Sequence, residues 1–194
     1  VYGPPGLDMY WKGFCSSVKA DIDLRIEDEG RPDMRELITI HAIDAGLVLS
    51  RDGVTVSAIR NQHPPLVDTF ALSFKTDEVH VVFSGDTAPI KALENFARGA
   101  DLLIHEAMLE SALPALLERV GNGSDKLMAH LLKSHTFAHE AAMTAANAGA
   151  KRLALTHLIP SDDPAYDEKD WQEACAGHYN GELIVGHDAI RIEL

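Results

Sequence analysis

Three side chains suited to holding a metal fall where apolar runs end. They are His63 in Asn61-Gln62-His63-Pro64-Pro65, Asp86 in Phe83-Ser84-Gly85-Asp86-Thr87, and His157 in Leu153-Ala154-Leu155-Thr156-His157. One carboxylate and two imidazoles make a donor set for zinc, manganese or iron. In layered α/β structures sites gather where strands run out, because loop residues there are free of ladder hydrogen bonds and can aim inward. Each residue also has a plainer reading. Asp86 or Thr87 would cap a helix starting near Ala88. His63 would be a turn residue before two prolines, and His157 a hydrogen-bonded core histidine. The metal reading rests on all three occurring together, in this order, each after a strand.

The elements that must position them form two patterns. Leu7 to Val18 carries apolar residues at helical spacing, and 28–33, with Gly30 and Pro32, reads as a loop. Strand signals follow at Leu37–Ile40, Gly46–Ser50, Val54–Ile59, Phe70–Phe74 and Val79–Phe83, with Asp52-Gly53 as a hairpin turn. Val54, Val56 and Ala58 alternate onto one face. After Asp86 helices and strands alternate. Helices are expected over Ile90–Arg98, Leu113–Val120, Ser124–Lys133, Phe137–Asn147 (stopped by Gly149) and Asp167–Ala176. Strands are expected over Ala100–His105, Leu153–His157, Glu182–Val185 and Ile190–Ile192. This predicts a single domain over 1–194, antiparallel strands first and α/β alternation afterwards.

Composition narrows the function classes. A chain of 194 residues, 46% hydrophobic and 24% charged, fits a globular fold, and no apolar run suggests a membrane span or a secretory signal. The net charge of -13 opposes a phosphate backbone, so nucleic acid is not the expected partner. Cys15 and Cys175 suit thiols in a reducing, cytoplasmic setting rather than a disulfide.

The ordered motifs resemble the metallo-β-lactamase superfamily, and within it the ribonuclease Z and arylsulfatase-like branch. The resemblance is carried by Val1-Tyr2-Gly3-Pro4-Pro5-Gly6, Asn61 to Pro65, Ser84-Gly85-Asp86-Thr87, Ala100 to Ala107, Ser134-His135-Thr136 and Lys151 to Leu158. It implies a four-layer αββα sandwich around two metal ions, zinc by preference. His63 would bind the first metal, Asp86 bridge both, and His157 bind the second. His135 would contact substrate or protonate the leaving group, and Glu106 would orient a neighbour or, more plainly, be a solvated or capping acid. Paired metals about 3.5–4 Å apart activate a water toward a phosphoryl, sulfuryl or carbonyl centre.

The chain departs from the family at one point. The His-x-His-x-Asp-His motif that supplies the other ligands is absent, and the chain opens at the turn that follows it. The expectation is therefore an incomplete sandwich, lacking its N-terminal half. Each metal would meet two of these ligands, counting Asp86 twice, where three or four are usual, so weak metal binding and little activity are expected of the chain alone. Exposed sheet edges would then favour a homodimer or pairing with another chain.

The function expected first is hydrolysis of a small ester, sulfate ester, lactone or phosphodiester. A tRNA 3′-processing endonuclease comes second, because the branch grips tRNA with a basic arm and none lies between Gly6 and Val54. A non-catalytic fragment is the third reading. Among the other histidines, His105 is a candidate for lining the site, and His130 and His139 flank His135 and shape the pocket mouth. His41, His80, His178 and His187 read as surface or packing residues, and Trp171 as a core aromatic.

Overall fold

The computed structural model describes residues 1–121 and 124–194, with Ser124 described by its backbone alone. The chain divides into two compact units, Val1–Asp44 and Ala45–Leu194. The first holds strand β1 (Tyr2–Gly3), helices α1 (Leu7–Ser17), α2 (Lys19–Glu29) and α3 (Met34–Leu37), and strand β2 (His41–Ala42), which pairs in parallel with β1. Helix α2 runs through Asp28 and Glu29, where a loop was expected. Its surface is laced by i,i+4 pairs such as Arg25 with Asp21 and Glu29, a local support that hydrophobic patterning does not register. The strand expected over Leu37–Ile40 is displaced to His41–Ala42, because Leu37 closes α3, whose N-cap Asp33 accepts the Arg35 amide.

The second unit is built on one seven-stranded sheet in the order β3 (Gly46–Arg51), β4 (Val54–Arg60), β5 (Phe70–Lys75), β6 (His80–Phe83), β7 (Leu102–Met108), β8 (Arg152–Ile159) and β9 (Glu182–Val185). β3 to β6 run antiparallel and β6 to β9 parallel, matching the change of pattern at Asp86. Asp52 and Gly53, at φ 53° and 80°, make the β3–β4 turn, the doubly left-handed geometry that suits a tight hairpin. The parallel strands are linked through α4 (Lys91–Phe96), then a short 3-10 turn, α5 (Leu113–Val120), α6 (Ser124–Ser134) and α7 (Ala138–Ala148), then α8 (Glu168–Cys175). No helix among the described residues is long and apolar enough to cross a membrane.

Strand alternation gives the sheet two faces. Val82, Leu103 and Leu153 face a core completed by Leu93, by Ala141, Ala142 and Ala145 of α7, and by Trp171 and Cys175 of α8. The alanines of α7 let its backbone lie close to the sheet, and Gly149 ends it in the left-handed conformation. Trp171 is the core aromatic expected. Their alternates Val81, Phe83, Leu102, Ile104 and Ala154, with Phe74, line an open apolar groove of about 1020 Å³ on the other face. One β layer and one α layer of the αββα arrangement are thus present in this unit. Residues 190–192, expected as a strand, pair with nothing in the sheet. Both cysteines are free thiols, and burial pushes that of Cys175 up to about 11.

Candidate metal centre

The sheet positions the candidates at the carboxyl ends of its parallel strands, the side where α/β sheets hold ligands. β6 delivers Asp86, β7 Glu106 and β8 His157. His63 comes from the loop after β4, and His135 directly follows α6.

The Asp86 turn is fixed from several sides. The Ser84 amide donates to the Ile104 carbonyl (2.9 Å), and the Ser84 carbonyl accepts from Asn61 Nδ2 (2.8 Å). Gly85 sits at φ +59°, and a Cβ there would lie 2.7 Å from the Phe70 carbonyl oxygen and 2.9 Å from Asn61 Nδ2. Only glycine fits this position without displacement. Neither Asp86 nor Thr87 caps a helix, which corrects that alternative. α4 begins at Lys91 with Ile90 as its N-cap. The Thr87 hydroxyl instead donates to the Ala88 carbonyl and accepts from the Gln62 amide, tying this loop to the one that carries His63.

Glu106 is buried, at 1% exposure, and is neither solvated nor a helix cap. Its Oε1 accepts from the Thr87 amide (2.6 Å) and pairs with His135 Nδ1 (3.0 Å). Its own amide donates to Ser84 Oγ (3.0 Å). Thr136 closes the ring by donating to the Thr87 carbonyl. His135 is therefore held by a carboxylate that the Thr87 amide fixes in turn, and its imidazole stacks on His157 at 5.5 Å and 9°.

His157 does not end its strand. β8 continues to Ile159, and pairing with β7 passes from Glu106–Thr156 to Ala107–Leu158, so His157 is the extra residue of a bulge. Its φ of +42° places a non-glycine residue in the left-handed region, at a cost of about 1–3 kcal/mol. Bulges re-aim side chains in this way. Here the result is His157 Nε2 lying 3.4 Å from Asp86 Oδ2.

Sequence reasoning undervalued one residue. His130, on α6, packs edge-on against both His63 (5.3 Å between ring centres) and His135 (5.6 Å), while His63 and His135 are 5.0 Å apart and also edge-on. Burial, with the His135 and His63 imidazoles and Lys133 nearby, holds His130 below the ordinary imidazole range. His105, next to Glu106 but on the opposite side of β7, is completely buried, and burial holds it down to about 4. His139 stacks on Phe137 beside His178, apart from this cluster.

Two groups could hold a metal ion among the described residues, His63–His130–His135 and Glu106–His135–His157. In each, one donor atom per residue lies within 4.8 Å of the others. His63 Nδ1 and Glu106 Oε2 are buried polar atoms with no hydrogen-bond partner. Such orphans are costly, and imidazole and carboxylate donors around them suit a divalent transition metal. The residues fit the metal that the fold implies.

Residues 15–158 match the family model for the beta-lactamase superfamily domain, and the chain belongs to that superfamily. It is an enzyme, of the metallo-hydrolase class. Over its full length it is 30% identical to a ribonuclease Z-named protein of Mycobacterium tuberculosis, spanning 83% of it. It is 28% identical to a ribonuclease Z of Mycobacterium marinum, spanning 67% of that protein. Among solved structures the fold is similar to zinc-bound PqqB from Methylobacterium extorquens (TM-score 0.60, 16% identity, all of this chain and 64% of that one). It is also similar to the short form of human tRNase Z (TM-score 0.57, 20% identity, 99% of this chain and 65% of that one). The chain thus spans just under two thirds of these solved proteins.

Proposed function

We propose that this chain carries the active site of a metal-dependent hydrolase acting on an ester-type bond of a small molecule: a sulfate ester, carboxylic ester, lactone or phosphodiester. The observation that carries the reading is the run of contacts at the carboxyl ends of β6 to β8, where Asp86 lies against His157, His157 stacks on His135, and His135 pairs with Glu106 and packs on His63 from the loop after β4. His63, Asp86 and His157 would hold the metal, zinc by preference with manganese or iron as substitutes. When bound there the metal supplies Lewis-acid activation of water and of the scissile group.

The chain's own residues account for the proton. With Nδ1–H donating to Glu106, neutral His135 keeps a lone pair on Nε2. Once Nε2 takes up a proton, the adjacent carboxylate stabilises the imidazolium, and Nε2–H can be handed to the leaving oxygen. The Thr87 amide on the same carboxylate oxygen keeps Glu106 from swinging away. The apolar groove beside β8, which includes His157 in its wall, gives the organic part of a substrate a surface to rest on.

The test is a panel of aryl phosphodiester, aryl sulfate, aryl ester and lactone substrates, run with the zinc-loaded protein and after chelation. Hydrolysis that chelation removes and zinc restores supports the reading. Hydrolysis indifferent to chelation sinks it. A second reading, tRNA 3′-processing endonuclease, is favoured by the names of the mycobacterial relatives and opposed by the net charge of -13. Cleavage of a precursor tRNA at nanomolar enzyme would put it first.

A further inference from the structure

We infer that His130 contacts the substrate, accepting a hydrogen bond from a hydroxyl group carried beside the leaving oxygen, and so selects esters of vicinal diols. The inference deepens the hydrolase reading and rests on it for where the leaving group lies. That reading leaves His130 unused, since the metal falls to His63, Asp86 and His157 and the proton to His135. Yet His130, from α6, packs edge-on against His135 (5.6 Å between ring centres, 83°) and against His63 (5.3 Å, 76°). A ring nitrogen of each of the three lies within 4.8 Å of the others. A leaving group that takes its proton from His135 must come within hydrogen-bond reach of that ring. The next ring it meets on the α6 side is His130.

The hydrogen bonds around His130 decide what it can recognise. Ser134 has one hydroxyl proton, and it goes to the Pro64 carbonyl (2.9 Å). At its contact with His130 Nδ1 (3.3 Å) Ser134 Oγ is therefore the acceptor. Neutral His130 then carries its proton on Nδ1 and keeps a lone pair on Nε2, which no described residue satisfies. The Ser134 bond to Pro64 also ties the end of α6 to the residue after His63, so the ring is held at a fixed distance from the metal-bearing loop.

A positioned acceptor favours a substrate that brings a donor over one that lacks it. Phosphoryl, sulfuryl and carbonyl oxygens only accept, so the group undergoing attack does not fill this lone pair. A simple alcohol leaving group offers one oxygen, and that oxygen goes to His135. The group that fits His130 is a second hydroxyl. Two hydrogen bonds of about 2.8 Å, made by nitrogens no more than 4.8 Å apart, reach oxygens on adjacent carbons. The substrate class is thus the monoester of a vicinal diol, as in a glycol, glycerol or sugar ester.

The test compares cis-2-hydroxycyclohexyl and cyclohexyl esters of the acid that the substrate panel identifies, with the zinc-loaded full chain as parent, H130F and H130Q. The readout is the ratio of kcat/KM for the hydroxylated ester to that for the plain one, and comparing ratios between proteins cancels the intrinsic reactivity of the esters. The ratio is expected to fall about tenfold in H130F and to recover in H130Q, whose amide oxygen supplies an acceptor near the place of Nε2. Equal ratios in parent and H130F overturn the inference. So does an equal fall in both variants, which would make ring shape the cause. A second measurement needs neither turnover nor a variant. In the zinc-loaded parent, cis-cyclohexane-1,2-diol is expected to move the His130 Nε2 resonance and cyclohexanol to leave it in place. A resonance moved by neither compound, or equally by both, overturns the inference. A shift with the diol alone, in a chain that hydrolyses nothing in the panel, would sink the hydrolase reading and leave this contact standing.

Discussion

Replacing Gly85 by alanine separates the two reasons this turn needs glycine. The first is conformational: a non-glycine residue at φ +59° costs about 1–2 kcal/mol. The second is steric. The added Cβ would lie 2.7 Å from the Phe70 carbonyl oxygen and 2.9 Å from Asn61 Nδ2. Phe70 is locked opposite Arg60 in the β4–β5 ladder, and Asn61 Nδ2 is committed to the Ser84 carbonyl, so neither can yield without cost. Forcing a methyl group into such a place adds about 1–3 kcal/mol, for a total of roughly 2–5 kcal/mol. At about 2–4 °C per kcal/mol for a chain of this size, the melting midpoint should fall by roughly 4–20 °C. Gly99 is the internal control. It has φ +65° and nothing within 4 Å of its added Cβ, so G99A should show the conformational loss alone, about 1–2 kcal/mol. Denaturant unfolding of both variants reads the difference. Equal losses would refute the close approach at Gly85, and with it the argument that this contact fixes where Asp86 points.

Other consequences follow from the buried polar groups and the core. E106Q removes the negative charge that faces His135 Nδ1 and should lower kcat by about 10²–10⁴-fold with little change in KM; a change in KM alone would show that Glu106 does not act through His135. His105, held to about 4 by burial against an ordinary 6.5, binds its proton more weakly folded than unfolded. Its contribution therefore costs stability progressively as pH falls from about 6.5 to about 4, and a ring titration by NMR near 6.5 would contradict this. W171A, at a residue 3% exposed between α8 and the sheet, should cost about 3–5 kcal/mol in chemical denaturation, and a loss under 1 kcal/mol would place Trp171 outside the core.

The parts of the fold legible in the sequence are those written locally. The Asp52-Gly53 hairpin, the alternation that buries Val56 and Ala58, and the Gly149 stop are each a matter of a few adjacent residues. Of the three expected ligands, Asp86 and His157 lie side by side, because the ends of parallel strands share an edge, while His63 packs against His135 and His130. What the sequence hid depends on partners far along the chain. His157 reads as a strand terminus, yet it is a bulge created by pairing with β7, some fifty residues earlier. Glu106 reads equally well as a surface acid; the Thr87 amide and the His135 ring, from two other loops, give it a role. His130 carries no motif, and its place beside His63 depends on where α6 stops and on Ser134 reaching Pro64.

The central claim is that this edge of the sheet is a metal centre. Zinc binding by the metal-free chain, measured by equilibrium dialysis in the parent, D86N and H157A proteins, tests it most directly. The account predicts zinc bound with weaker than nanomolar affinity, and less zinc bound per chain in each variant than in the parent. Absence of binding in the parent, or variants that bind as much zinc as tightly as the parent, would contradict it.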